Sequence, residues 1–174
     1  MAASPCFLPE GITPYNGKVN RRPQGRILAL DLGRRRIGLA VSDPLGLTAQ
    51  GLPTLERRNR RADLEALRRL AEQHGAVLLL VGHPLHLSGR AGEQAENAAS
   101  FALQLRRHVG CEVLLWDERL TTAEAQRVLR QSAMGQAKRA AAVDRMAAVL
   151  LLQSYLDHQA MANSSRAEVS PRET

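Results

Sequence analysis

Four acidic residues stand where a carboxylate needs a reason to be. Asp31 closes the apolar run Ile27-Leu-Ala-Leu30, Asp117 and Glu118 follow the run Glu112–Trp116, and Asp144 lies inside the apolar stretch 140–158. An ionised carboxylate taken out of water must be paired, hydrogen-bonded or metal-bound. On a helix, Asp144 shares a face with Ala147, Ala148 and Leu151, small residues that allow close packing. Ordinary explanations exist for each acid: Asp31 could brace a turn, Asp144 could pair with Arg139 or Arg145, and Glu118 with Arg119. Taken together, acids at strand ends and on an inner helix face can converge on one edge of a sheet. In a protein of net charge +7 such a cluster calls for a cation. Carboxylate and water oxygens suit Mg²⁺ or Mn²⁺, which also bridge to phosphate. Two such ions about 3.5–4 Å apart activate a water and stabilise the departing oxygen of a phosphodiester, so the implied chemistry is phosphodiester hydrolysis.

These residues need a scaffold, and the hydrophobic pattern supplies one. Ile27–Leu32 and Ile37–Ser42 are strand-like runs joined by a basic turn at Gly33 to Arg36, a hairpin. Leu47–Leu55 reads as an edge or irregular strand, because Gly51 and Pro53 interrupt it. Apolar Leu64, Leu67, Leu70 and Ala71 recur at helical spacing within 60–74, and Gly75 sits where a C-terminal cap belongs. The unbroken run Ala76–Val81 predicts a central strand, followed by a loop at Gly82-His83-Pro84. A helix is predicted over 92–109, a strand over 112–116, a helix over 121–131 opened by the capping box Thr121-Thr-Ala-Glu124, and a last helix over 140–158. That last helix is apolar around most of its circumference and is expected to pack in the interior. Gln131–Arg139 reads as a mobile basic loop. The order predicts an α/β domain with a mixed sheet over 26–158, between an irregular extension at 1–25 and a flexible tail at 159–174.

Composition narrows the partners. A chain of 174 residues holds one ordinary domain, and aromatics at 3% leave the core to aliphatic side chains and make base stacking on exposed rings a poor binding mode. The charge excess is mostly arginine, which grips phosphates bidentately. Arg34, Arg35, Arg36, Arg119, Lys138 and Arg139 are the candidate phosphate contacts, and a nucleic acid is the expected partner. Two cysteines without CxxC spacing support neither a disulfide framework nor a zinc site. No leader pattern or apolar span points to a membrane, and a cytoplasmic location is expected. Gly33 to Gly38 has Walker-like spacing, yet Leu39 stands where Lys is required, which excludes a P-loop.

Several segments resemble the signatures of the YqgF family, proteins named as pre-16S ribosomal RNA nucleases and also as Holliday-junction-resolvase-like. They are Ala29-Leu-Asp-Leu-Gly33, Arg36-Ile-Gly-Leu-Ala-Val-Ser-Asp43, Val81-Gly-His-Pro-Leu85, Asp117-Glu-Arg-Leu-Thr-Thr122 and Val143-Asp-Arg-Met-Ala-Ala148. The resemblance covers about 26–158. It implies a ribonuclease H-like fold with a five-stranded mixed sheet flanked by helices, and a divalent-metal nuclease that trims the 5′ end of the small-subunit ribosomal RNA precursor, with ribosomal particles as further partners. Its acidic site falls on Asp31, Glu118 and Asp144, with Asp117 as a supporting acid. One loop departs: where the family reads Gly-Leu-Pro-Leu-Asn and then an acid before Gly, this chain has Gly82-His83-Pro84-Leu85-His86 and Leu87-Ser88-Gly89. His83 and His86 have metal-like spacing, but a loop pair without further soft ligands is expected to be solvated. A junction-cutting DNase and a binding module that grips RNA without cutting are the two rival readings.

Overall fold

A computed structural model describes residues 23–84, 92–117 and 136–167, with the side chains of 136–140 and 165–167 left aside. Five strands form one sheet: β1 (Arg26–Leu32), β2 (Arg36–Ser42), β3 (Ala49–Glu56), β4 (Ala76–His83) and β5 (Glu112–Asp117), in the order β3-β2-β1-β4-β5. The β1–β2–β3 meander is antiparallel, whereas β4 and β5 run parallel to β1. The helices are α1 (Arg60–His74), α2 (Glu93–His108) and α3 (Gln136–Ala167). This is the mixed α/β sheet that the hairpin and the later crossovers predicted. The helix expected at 121–131 lies outside the described residues, as does most of the N-terminal extension.

Alternation along each strand divides the core in two. Leu28 and Leu30 of β1, Ile37, Leu39 and Val41 of β2, Leu79 and Val81 of β4, and Val113 and Leu115 of β5 pack with α1 and α2. Ile27, Ala29, Ala40, Leu78, Leu80, Leu114 and Trp116 pack on the other face with Ala148, Leu151, Leu152, Tyr155 and Leu156 of α3. Each fully buried leucine here is worth about 1.5–3 kcal/mol. α1 ends on Gly75 as predicted, in the left-handed conformation at φ 60°, and at its start the Asn59 side chain accepts from the Ala62 N–H at 2.9 Å.

The structure corrects three expectations about extent and burial. β4 continues through Gly82 and His83, so His83 is a buried strand residue, 7% exposed, and not a solvated loop ligand. Desolvation pushes its pKa below the usual histidine range, with the nearby Asp117 charge and a backbone hydrogen bond at Ala95 opposing. α3 starts at Gln136, inside the stretch read as a mobile loop, and runs to Ala167, through much of the expected tail. Gln159 is buried, which ties that extension to the domain. Nor is α3 buried all round. Its covered residues are 147, 148, 151, 152, 155, 156 and 159, a single stripe, while Met161 is exposed.

Candidate functional site

The site is set by how closely α3 approaches β2. A Cβ on Gly38 would meet the Asp144 carbonyl oxygen at 2.0 Å, so only glycine lets the helix backbone rest on the strand there. Gly51 of β3 does the same for the stem of Arg145, whose Cγ would lie 2.6 Å from an added Cβ. Asp31 pairs directly across from Gly38. Directly paired residues of an antiparallel ladder share a face, so Asp31 and Asp144 lie on the same side of the sheet at the carboxyl end of β1. The small-residue face predicted around Asp144 is observed: Ala147 and Ala148 are buried, and Ala148 packs with the strands.

The Asp144 carboxylate has a partner that neither ordinary explanation named. Its Oδ2 accepts from Arg36 Nε at 2.7 Å, and both side chains keep about a quarter of their exposure. Arg36 was a candidate phosphate contact; here it holds Asp144 in place across the β2–α3 packing. Arg34 and Arg35 are exposed in the turn. Glu118 and Arg119 lie outside the described residues, and Lys138 and Arg139 fall in the first turn of α3, where side chains are not described. Among the described residues no group of three His, Cys, Asp or Glu side chains is gathered to hold a metal. Asp31 and Asp144, with hard oxygen donors on one face, fit a divalent ion of the Mg²⁺ type, and Asp144 Oδ1 makes no hydrogen bond to Arg36.

Asp117 goes elsewhere. It alternates with Val113 and Leu115, on the α1/α2 face, and pairs beside His83 in the β4–β5 ladder. β5 is anchored to α3 through its neighbour Trp116, which packs edge-on against Tyr155 at 5.1 Å and donates to Ser154 Oγ at 3.3 Å. Asp43, the last residue of the matching β2 segment, is a turn organiser: its carboxylate accepts from the backbone N–H groups of Leu45, Leu47 and Thr48. Those bonds hold its pKa below the usual carboxylate range.

Sequence reasoning missed one polar cluster. Asp63, 3% exposed, accepts from Arg57 Nε at 3.2 Å and from the Arg58 N–H at 3.0 Å, and Arg57 also donates to the Gly33 carbonyl at 3.0 Å. This cluster pins the end of β3 to the basic turn after Asp31. Its signal was present: an acid next to Leu64 on the apolar face of α1 needs a partner as surely as Asp144 does.

The sequence model of a family described as RuvX, Holliday junction resolvase, matches residues 25–158. The chain belongs to the RuvX family. This is the YqgF family whose segments the sequence resembles. A relative from Koribacter versatilis (strain Ellin345), named "Putative pre-16S rRNA nuclease", is 56% identical over 135 residues, which are 78% of this chain and 88% of that protein. One of the same name from Halalkalibacterium halodurans is 46% identical, over 77% of this chain and 97% of its own. The RuvX chain also resembles the solved structure of the yeast mitochondrial Holliday junction resolvase Ydc2, with TM-score 0.52 and 12% identity, covering 87% of this chain and 86% of that one. At that identity the likeness shows the fold, and the expected ribonuclease H-like architecture is observed.

Proposed function

We propose that this RuvX-family protein is a metal-dependent nuclease that hydrolyses phosphodiester bonds, acting on the 5′ end of precursor 16S ribosomal RNA. The observation that carries the reading is the register Asp31 opposite Gly38 with the Asp144 backbone seated on that glycine, which unites two acids far apart in sequence at one strand end. The names of the relatives point to the RNA substrate. Asp31 and Asp144 are the proposed metal ligands, and Glu118, one residue beyond the end of β5, is the proposed third. Mg²⁺ or Mn²⁺, two ions in the fuller scheme, would supply an activated water and charge stabilisation on the phosphate. Arg36 orients the Asp144 carboxylate, and Arg34 and Arg35 in the exposed turn offer phosphate contacts, with Arg119, Lys138 and Arg139 proposed for the same task. No helix among the described residues is long and apolar enough to cross a membrane. A cytoplasmic site of action, where precursor RNA and ribosomal particles are met, fits the reading.

Two observations favour rivals. The family description favours a Holliday-junction DNase. The Arg36–Asp144 ion pair favours a binding module, because an acid already balanced by arginine needs no metal. A cleavage assay separates the three. Purified wild type and Asp31→Asn are given a structured precursor RNA and a four-way DNA junction, with Mg²⁺ or Mn²⁺. The nuclease reading expects RNA cut by the wild type alone; equal cutting by both proteins removes the proposed site. Junction cutting without RNA cutting moves the assignment to DNA, and tight binding without cutting moves it to the module.

A further inference from the structure

A cleft of about 550 Å³ opens on the α1/α2 side of the sheet edge and reaches Asp31, Leu32 and Gly33 at the end of β1. Its arginine wall carries Arg34, Arg57 and Arg60, and its other wall comes from the first turns of α2, with Glu93, Gln94 and Asn97. The arginine wall is built. Arg57 and Arg60 both lie over the buried Phe101 ring, each 5.7 Å from its centroid. Arg57 is held by Asp63 and the Gly33 carbonyl, and Arg60 donates to Ser100 Oγ at 3.0 Å across the α1–α2 gap. Arg34 makes no ion pair among the described residues, and it and Arg60 are exposed.

The two walls differ in chemistry. Guanidinium groups suit a phosphate, and fixed guanidinium planes offer a stacking surface to a base. The amide and carboxylate groups of α2 suit the donor and acceptor edge of a base, above all an exocyclic amino group that Glu93 can accept from. Inorganic phosphate would face the Glu93 carboxylate with nothing to offer it. We propose that the cleft is a second nucleotide-binding site, which holds one unpaired nucleotide of the substrate strand beside the cutting position, phosphate toward Arg34 and Arg60 and base toward Gln94 and Asn97. The strand then crosses the sheet edge at Gly33, from the acid face to the cleft. The proposal rests on the nuclease reading for its substrate.

The test uses the full chain in EDTA and a fluorescein-labelled, single-stranded 12-nucleotide RNA, with anisotropy read over a range of salt. Arg34→Gln and Arg60→Gln each should weaken binding roughly tenfold and lower the salt slope by about 0.7, the loss of one phosphate contact. Asn97→Leu should weaken binding with the slope unchanged. Arg106→Gln, an exposed charge at the far end of α2, should do neither. All four sites are exposed, and melting curves check that each variant folds. Cleft variants that bind like the wild type, an Arg106→Gln effect of equal size, or a wild type that does not bind the RNA overturn the proposal. Titration with adenosine monophosphate, uridine monophosphate and inorganic phosphate, followed by amide NMR shifts around Asn97, reads the base contact. Adenosine monophosphate should bind tighter than the other two, and equal binding of all three overturns the nucleotide assignment in favour of a bare anion site. Cleavage in Mn²⁺ distinguishes the failures: a wild type that cuts while cleft variants keep its affinity removes the cleft alone, and one that binds through the cleft without cutting removes the nuclease alone.

Discussion

The carboxyl edge of the sheet has two faces, and they handle buried charge in opposite ways. On the α3 face, Asp31 and Asp144 lie where glycine and alanine let a helix backbone touch the strands, and the Arg36–Asp144 ion pair stays about a quarter open to solvent. On the α1/α2 face, Asp63 and His83 are almost fully covered, and each is closed off by partners of its own chain: Arg57 and the Arg58 N–H for Asp63, Asp117 and Ala95 for His83. The difference teaches that burial of an acid is not the mark of a working site here. Asp63 is more buried than Asp144 and already satisfied, so it serves architecture. Asp144, a quarter exposed beside Arg36, and Asp31 on the same face are the acids we propose for an outside cation.

The largest expected effect tests that contrast directly. Asp31→Asn, nearly isosteric, should abolish metal-dependent cutting: losing an outer-shell partner costs about 10–100-fold, and loss of the ligand charge costs more. Asp117→Asn, on the opposite face, should leave the rate within a few-fold. Single-turnover rates in Mn²⁺ compare the two, and an equal loss would erase the distinction between the faces. Next comes Gly38→Ala. Its Cβ cannot coexist with the Asp144 carbonyl, so α3 must lift from β2, with an overpacking cost of about 1–3 kcal/mol in urea denaturation. Cutting should fall as well, since Asp144 moves with the helix. Unchanged stability would mean that the close approach does not set the site.

How much of this was legible beforehand follows from the range of each interaction. Hairpin, central strands and the Gly75 cap of α1 rest on local patterns, and the sequence places them within a residue or two. Asp144 was placed on a small-residue face because helical periodicity is local too. Its pairing with Arg36 was not legible, since that partner lies on a strand reached only through tertiary packing, and the nearer Arg139 and Arg145 were the natural choices. His83 reads as a loop residue because Gly82 and Pro84 on either side signal a turn, while the ladder with β5 carries β4 two residues further. Asp117 and Glu118 are adjacent in sequence and were treated as one group. Alternation along β5 assigns Asp117 to the face of Val113 and Leu115, and only the observed register shows which face that is.

Arg36→Gln gives the third effect, in metal affinity. If Arg36 orients the Asp144 carboxylate, Mn²⁺ binding measured by calorimetry should weaken about tenfold, with a stability change under about 1 kcal/mol because the pair is partly exposed. Tighter Mn²⁺ binding would instead mark Arg36 as a competitor for the same oxygen and favour the binding module.

The smallest effect belongs to the closed face. His83 has its pKa lowered from 6.5 by burial, so the folded protein resists a proton that the unfolded chain accepts. Stability is therefore intact above the unfolded value and drains away as pH falls below about 6.5, until the folded histidine also titrates. Urea midpoints should decline between pH 7 and pH 5, and His83→Gln should flatten that decline. Asp117→Asn should steepen it, because the negative charge that favours a protonated His83 is gone. If Asp117→Asn leaves the profile unchanged, Asp117 is not coupled to His83, and its place on the closed face would no longer explain why it should be dispensable for cutting.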